Sequence, residues 1–368
     1  MKRRISTSLT GRLAVTLAAC ICAVAIAVPA SAASASPPQA HQSATPKPLY
    51  WGMWIGNQLT PPNAPPYDMN AVNILTSALG KGMSLIEFSS SFSDCDPTPC
   101  SFYRFPAKPM DAIRSYGAIP FFSWAAESNP RKTENDPEFQ LADLIEGRYD
   151  AYIAQFAEEA KTWGHPFFLR FNWEMNGKWF SWAQSTNGNK PGQYVAAWRH
   201  VHDIFSAVGA TNATWVWCPY ADPRGHFSKL KPLYPGNAYV DWSCMDGYNW
   251  GRNPVSSKPW RSFDEIFAGT YKQITKEVAP SKPMLLAEFG TSSKGGSKPR
   301  WIREMLATIP KKYPRIRGLI YLDGHDRGID WTIESSAPAL AAFARGIARP
   351  LFLPNQYGAL DTGPIPPP

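Results

Sequence analysis

The sequence lacks several features that mark common classes of partner or ligand. Its formal net charge is +8, but beyond residue 32 it contains no block of lysine and arginine residues. Four of the positive charges lie in the first 32 residues, which contain no acid, so about +4 remains (8 minus 4). No glycine-rich phosphate loop follows an early strand-like segment, and there is no internal repeat. These absences argue against nucleic acid as a partner and against a nucleotide-binding fold.

Cysteine is scarce, and its distribution favours disulfides over a metal centre. Two of the six cysteines lie in the first 32 residues. The other four are Cys95, Cys100, Cys218 and Cys244. In "DCDPTPCS", Cys95 and Cys100 close a short loop and predict one bridge, which leaves Cys218 and Cys244 for a second. The same stretch has no second half at metal-ligand spacing, so we expect neither a metal nor a cofactor.

Both ends of the chain differ in composition from its middle. Residues 1–32 combine a basic start, an apolar run and an A-x-A pattern ending at Ala32, which predicts a secretory signal peptide. The apolar run is short for a membrane span and continues past Cys20, so we expect neither a membrane anchor nor lipidation. Residues 33–48 predict a disordered Pro/Ser/Ala-rich linker, and residues 349–368 predict a loose Pro-rich C-terminal tail.

Residues 49–348 alternate between strand-like and helix-like segments. Eight runs predict strands: Leu49–Ile55, Met83–Ser89, Ile119–Trp124, Phe167–Phe171, Ala213–Cys218, Asp241–Tyr248, Pro283–Glu288 and Gly318–Asp323. Seven predict helices: Ala71–Lys81, Met110–Tyr116, Tyr149–Trp163, Gly192–Val208, Phe263–Val278, Pro299–Ile309 and Ala337–Ile347. This alternation predicts the α/β class and a (β/α)8 TIM barrel forming a single catalytic domain. An open doubly wound sheet is the alternative.

The predicted carboxyl ends of these strands, where such a barrel places its active site, carry two glutamates. Glu174 follows the fourth strand in "FFLRFNWEMNGKWFSW", and Glu288 ends the seventh. The two strands face each other across the barrel mouth. Glycoside hydrolysis needs one protonated and one ionised carboxyl group, and neighbouring rings are expected to raise the pKa of Glu174. A structural ion pair with Arg170 is the alternative for Glu174 alone.

The same strand ends supply candidate substrate-binding residues. They are Arg170, Trp173, Asn176, Trp179, Trp124, Trp217, Tyr248, Trp250 and Asp323. Aromatic rings can stack on sugars while polar groups bind hydroxyls, although some of these rings are expected to pack in the core. The weaker catalytic candidates Glu87, Glu127, Asp246, Asp323 and His325 are each expected to be a support or surface residue rather than a catalyst. Ser89 to Ser91 have no His and Asp at suitable spacing for a serine triad.

The motif around Glu174 resembles the acid/base segment of glycoside hydrolase family 26, and "PMLLAEFGTSS" resembles that family's nucleophile strand. "TWVWCPY", "MDGYNWG" and "DWTIESSAPALAAFA" are similar to further family segments, so the likeness extends over residues 49–348. The resemblance implies a retaining (β/α)8 enzyme with Glu174 as proton donor and later base, and Glu288 as nucleophile. It also implies that Tyr248 holds the nucleophile and that Trp179 lies near the reacting sugar. The sequence departs from the family pattern at Trp173, where family mannanases usually carry histidine.

These observations together predict a secreted, retaining endo-β-glycanase. The resemblance makes β-1,4-mannan the leading substrate, with mixed-linkage β-1,3-1,4-glucan or xylan as alternatives. A non-catalytic sugar-binding barrel is the alternative from another class. We expect polysaccharide as the partner, no nucleic acid, no membrane, and a monomer.

Overall fold

The computed structural model describes residues 46–96, 98–221, 228–252 and 259–368. The predicted signal peptide and most of the predicted linker lie outside these residues. Eight parallel strands form the barrel: β1 (Tyr50–Ile55), β2 (Leu85–Asp94), β3 (Ile119–Asn129), β4 (Phe167–Phe171), β5 (Ala213–Trp217), β6 (Trp242–Asn249), β7 (Met284–Thr291) and β8 (Ile316–Asp323). Because β1 pairs with both β2 and β8, the sheet closes on itself. The predicted (β/α)8 barrel is confirmed.

Helices surround the barrel. They are α1 (Asn70–Leu79), α2 (Ala107–Tyr116), α3 (Leu141–Ile145), α4 (Asp150–Trp163), α5 (Gln193–Val208), α6 (Phe263–Gln273), α7 (Lys298–Lys312) and α8 (Ala337–Ile347). All seven predicted helices are confirmed to within a few residues, and α3 was not predicted. The helix predicted over Phe263–Val278 changes to π-helical pairing at Ile274. Within the described ranges, none of the helices has both the length and the apolarity of a membrane span.

The strands are buried on both sides because the helices cover the outside of the barrel and side chains fill its inside. All five residues of β4, "FFLRF", are buried. Outside the sheet, the ring of Trp124 stacks on Phe156 of α4 with centroids 4.2 Å apart. This two-sided burial explains why the strands read as continuous apolar runs.

Both predicted disulfides are present. Cys95–Cys100 closes the loop after β2, and Cys218–Cys244 joins the segment after β5 to β6. The second bridge lies directly before the site residues that follow these strands. It therefore ties together two neighbouring parts of the barrel rim.

The C-terminal segment packs against the barrel, so the prediction of a loose tail was wrong. Ile365 is buried, and its backbone N–H donates to the Thr214 hydroxyl at 2.9 Å. The Trp242 indole donates to the carbonyl of Ile365 at 2.8 Å, and the Tyr50 hydroxyl donates to that of Pro366 at 3.0 Å. These contacts lie near the amino ends of β1, β5 and β6. The segment therefore covers the side of the barrel opposite the candidate site.

Candidate active site

The turn after β4 holds Glu174 in an uncommon backbone conformation. Asn172 and Glu174 have φ values of 42° and 54°, in the left-handed region that non-glycine residues rarely adopt. Main-chain hydrogen bonds secure the turn on both sides. The N–H of Asn172 donates to the carbonyl of Trp124 at 3.1 Å, and that of Glu174 donates to the carbonyl of Cys218 at 2.7 Å. The segment is thus fastened to both neighbouring parts of the barrel rim.

The Glu174 carboxyl group is buried and in contact with a tryptophan. Its Oε2 accepts a hydrogen bond from the indole N–H of Trp179 at 2.5 Å. Burial raises the pKa of Glu174 to about 8, and the charge of Glu288 adds to that rise. The Trp179 hydrogen bond and Arg170 act in the opposite direction. Glu174 is therefore protonated at neutral pH, in the state that a proton donor requires.

Glu288 lies where the pairing of β7 is irregular on both of its edges. In the pairing of β7 with β6, the register shifts between Met245 and Asp246 of β6. In the pairing of β7 with β8, it shifts between Leu286 and Phe289 of β7. One carboxylate oxygen of Glu288 accepts a hydrogen bond from the Tyr248 hydroxyl. The other accepts from the Arg170 guanidinium at 3.0 Å. The Glu288 side chain is 21% exposed, so it is oriented by the protein yet open to a ligand.

Arg170 is the fully buried cation inside the barrel mouth. Its guanidinium donates to Glu87 at 2.5 Å, to Asp246 at 2.9 Å and to Ser123 at 2.8 Å, in addition to Glu288. Burial opposes the charge of Arg170, but the surrounding carboxyl groups outweigh it and its pKa is raised. One cation thus faces three acids.

The supporting acids are themselves buried. Burial raises the pKa of Glu87 to about 8 and raises that of Asp246 well above its ordinary value. Removing these groups from water disfavours their charged forms, and Arg170 opposes that effect at both carboxyl groups. Arg170, Glu87 and Asp246 thus form a buried network behind Glu288.

Aromatic rings line the walls of a cavity of about 310 Å³ that contains both glutamates. The rings are Trp54, Trp173, Trp179, Phe180, Tyr220, Tyr248 and Trp250. The remaining side chains of the wall are Glu87, Ser89, Arg131, Arg170, Leu322, His325, Asp326 and Arg327. A cavity that combines aromatic rings with carboxyl, guanidinium and hydroxyl groups can contact both the apolar faces and the hydroxyls of a sugar.

Of the candidate substrate-binding residues, Arg170, Trp173, Trp179, Tyr248 and Trp250 line this cavity. Trp173 packs over Arg170, with the guanidinium carbon 4.7 Å from the ring centroid. No acceptor for the Trp173 indole N–H occurs among the described residues, and that N–H is not sealed from solvent. It is therefore available to donate to a ligand.

The other four candidates lie behind the cavity wall rather than in it. Trp124 is buried against α4, since β3 continues five residues beyond it to Asn129. Trp217 is buried and donates its indole N–H to the carbonyl of Leu233 at 2.9 Å. Asn176 exchanges two hydrogen bonds with the backbone of Tyr220, at 2.8 and 2.9 Å, and so positions that ring. Asp323 accepts the backbone N–H of Ile333 at 2.8 Å and holds the loop after β8.

Some wall residues were missed as substrate-binding candidates. A hairpin after β8 pairs His325–Asp326 with Ile329–Asp330 and carries Arg327 at its turn, with φ 49°. Arg131, in the loop after β3, is held by Glu127 in a two-pronged ion pair at 3.0 to 3.1 Å. The four-residue spacing of Glu127 and Arg131 indicates that they can pair, but no sequence pattern shows that the loop carrying Arg131 reaches the cavity.

A potential group of metal ligands is present beside the site. Among the described residues, ligand atoms of Cys218, Cys244 and Asp246 lie within 4.8 Å of one another. The two sulfurs are joined in a disulfide and cannot act as thiolate ligands in this state. The arrangement therefore does not fit a metal ion while the bridge is intact.

Comparison with known proteins identifies relatives over most of the barrel. The sequence model described as "Glycosyl hydrolase family 26" matches residues 122–305, which include both glutamates. Endoglucanase H of Acetivibrio thermocellus is 32% identical over 299 residues, 80% of this chain and 30% of that protein. Mannan endo-1,4-beta-mannosidase of Bacillus subtilis (strain 168) is 26% identical over 193 residues, 49% of this chain and 47% of that protein. The chain thus matches less than half the length of either relative.

A solved structure agrees in fold. The catalytic domain of a GH26 endo-beta-1,4-mannanase from Bacillus sp. JAMB-750 superposes with a TM-score of 0.61 at 16% identity. The superposition covers 85% of this chain and 90% of that one. At this identity the likeness concerns the barrel architecture.

Proposed function

The chain belongs to glycosyl hydrolase family 26, and from that premise we propose that it is a retaining endo-β-glycanase. The observation that carries the proposal is the pair of glutamates in one ring-lined cavity with contrasting environments. Glu174 is buried and protonated at neutral pH, while Glu288 is more open and accepts hydrogen bonds on both oxygens. Glycosidic bond cleavage needs one carboxyl group to donate a proton and another to attack the sugar, and these environments suit Glu174 to the first role and Glu288 to the second.

In the first step, Glu174 transfers its proton to the glycosidic oxygen. The carboxylate of Glu288 attacks the anomeric carbon, and the bond to the leaving sugar breaks as a covalent glycosyl ester forms. Tyr248 and Arg170 hold Glu288 in position for this attack. The Trp179 indole, which donates to Glu174, remains to stabilise that residue after it becomes a carboxylate.

In the second step, the ionised Glu174 takes a proton from water. The resulting hydroxide attacks the anomeric carbon, the ester bond to Glu288 breaks, and the sugar leaves with its original configuration. Glu174 is again protonated and Glu288 again ionised, so the site returns to its starting state.

The substrate we propose is a β-linked plant-type polysaccharide, with β-1,4-mannan as the first candidate. The likeness to the Bacillus subtilis mannosidase and to the Bacillus sp. JAMB-750 mannanase supports mannan as the substrate. A β-glucan is the second candidate, because endoglucanase H matches a longer segment at higher identity. Trp173, where family mannanases usually carry histidine, also favours it: a ring with one N–H donor replaces a group that can also accept a hydrogen bond.

A substrate panel tests this proposal. The purified chain is incubated with β-1,4-mannan, mixed-linkage β-glucan and xylan, and new reducing ends are measured together with the fall in viscosity. We expect cleavage of mannan or β-glucan, with viscosity falling early because the cuts are internal. The anomer released first, followed by NMR, should be β. A first product with α configuration would contradict the retaining mechanism, and binding without cleavage would favour a non-catalytic sugar-binding barrel.

The rate should decline at alkaline pH for a defined reason. We expect kcat/KM on the polysaccharide to fall as pH rises through about 8, since only the protonated form of Glu174 can donate. The dinitrophenolate group is a good enough leaving group to depart without a proton. Cleavage of a dinitrophenyl glycoside should therefore not show this alkaline decline. The measurement is kcat/KM against pH for both substrates. The same alkaline decline for both would show that Glu174 is not the proton donor.

We also propose that the protein is exported and acts outside the cell as a monomer. The basic and apolar N-terminal residues support export. The two disulfides agree with an oxidising compartment.

A further inference from the structure

A second cleft adjoins the catalytic cavity. It has a volume of about 470 Å³ and shares Ser89, Arg131 and Trp173 with the cavity wall. Because three residues border both spaces, the two lie side by side. A polymer chain bound across the catalytic glutamates can therefore extend into the second cleft.

Tyr67 supplies an exposed ring to this cleft. It lies in the loop between β1 and α1 and is 68% exposed, the highest value among the large exposed hydrophobic side chains of the described residues. Its hydroxyl has no hydrogen-bond partner among those residues. An aromatic ring left this open beside a binding cavity offers a flat apolar face of the kind that packs against a sugar ring.

Polar groups complete the cleft without adding net charge. Ser89 is exposed on β2, and the side-chain amide of Asn129 donates to the Tyr103 hydroxyl at 3.2 Å. The charge of Arg131 is matched by Glu127, and its guanidinium lies 4.8 Å from the Phe180 ring centroid. Hydroxyl and amide groups with a paired cation suit a neutral, hydroxyl-rich ligand rather than an acidic one.

We propose that this cleft is a distal sugar-binding subsite with Tyr67 as its stacking platform. It holds a neutral hexose unit of the same polysaccharide, at least one unit away from the bond that is cut. The proposal rests on the proposed glycanase function and adds a chain-length preference: long substrates reach Tyr67 and short ones do not.

The test compares long and short substrates in matched variants. Kinetics are measured for the wild type, Tyr67→Ala, Tyr67→Trp and the control Ile74→Ala, which removes an exposed apolar side chain outside both spaces. We expect Tyr67→Ala to lower kcat/KM on the polysaccharide about 10-fold while leaving an aryl glycoside of one or two sugars unchanged. Tyr67→Trp should retain the wild-type rate on both, and so should Ile74→Ala.

The outcomes separate the subsite from the catalytic function. Equal losses on long and short substrates would show that Tyr67 acts through the structure, and no loss on either would show that no sugar binds there. If the wild type cleaves nothing, the glycanase proposal fails. Calorimetric titration of Glu174→Gln with the polysaccharide then tests the subsite by itself. Adding Tyr67→Ala should weaken that binding about 10-fold, and unchanged affinity would overturn the inference.

Discussion

Replacement of Glu288 by alanine is expected to lower kcat on the polysaccharide on the order of 10⁴-fold or more, because no nucleophile remains to form the covalent intermediate. Replacement of Glu174 by alanine is expected to lower kcat by roughly 10²- to 10⁴-fold through loss of the proton donor. The measurement is the rate of reducing-end release by each purified variant. Both variants should keep the wild-type unfolding temperature to within a few degrees, since each removes a buried or half-buried acid.

Small anions distinguish the two roles. Azide should accelerate Glu174→Ala on a dinitrophenyl glycoside, because it replaces the water that Glu174 would activate, and the product should be a β-glycosyl azide. With Glu288→Ala, azide attacks from the side of the missing carboxylate and should yield the α-glycosyl azide. Exchanged product configurations would reverse the two assignments.

A surface glutamate provides the matched control. Glu304 is exposed on α7, and among the described residues its one ion pair is with Arg300 at 2.7 Å. Glu304→Ala should leave kcat unchanged on every substrate. If Glu174→Ala and Glu288→Ala were as active as Glu304→Ala, the two-carboxylate mechanism would be wrong.

Replacement of Arg170 by methionine is expected to lower the free energy of unfolding at pH 7 by about 3 to 5 kcal/mol, the usual effect of removing one partner from a buried ion pair. Glu87, Asp246 and Glu288 would lose the cation that they share. Activity should fall as well, by roughly 100-fold, since Glu288 would keep only Tyr248 to orient it. Denaturant unfolding and kcat/KM measure the two effects.

The pH dependence of that loss identifies its electrostatic origin. Without Arg170 the pKa values of the buried carboxyl groups rise further above their unfolded values, so the penalty grows as pH rises and shrinks as these groups take up protons. Since the pKa of Glu87 is about 8 with Arg170 present, we expect the stability difference between variant and wild type to widen as pH rises through about 8. Adding Glu87→Gln and Asp246→Asn should recover part of the stability lost above pH 8. A difference that is constant with pH would instead indicate a packing defect.

Arg170→Lys and Arg300→Met complete this series. Lysine keeps the charge of Arg170 but not its planar set of donors, so we expect a smaller loss of stability with much of the activity still missing. Arg300 is exposed, and within the described part of the chain its one ion pair is with Glu304. Its replacement should leave the unfolding midpoint unchanged.

Much of the barrel could be predicted because strand composition reports burial on both sides. "FFLRF" predicts β4 with its observed ends, and the order of strands places Glu174 and Glu288 at one rim. The lengths of the strands were harder to predict from the sequence. β3 runs to Asn129 rather than ending at Trp124, so Trp124 lies within the strand and packs against α4. A side chain's direction depends on where its strand ends, and that end is set by pairing with the neighbouring strands.

The C-terminal segment also shows that contacts with distant parts of the chain limit what local sequence can predict. Its prolines predicted a loose tail, yet Ile365 is buried through contacts with Thr214 and Trp242. Those partners lie more than 120 residues away in sequence (242 is 123 positions before 365). Local composition describes how a segment behaves alone, and here the packing surface comes from distant strands.

The sequence by itself determined the architecture, the two disulfide pairs and the two acids at the barrel rim, since all of these follow from local patterns and their spacing. The chemical state of the acids was decided only by the tertiary structure. The pKa of Glu174 is raised as expected, chiefly by burial; the charge of Glu288 adds to the rise, and the hydrogen bond from Trp179 opposes it. Glu288 lies 114 positions away (288 minus 174). Electrostatic interactions depend on distance in space and on exclusion of water, and both exist only once the barrel has closed.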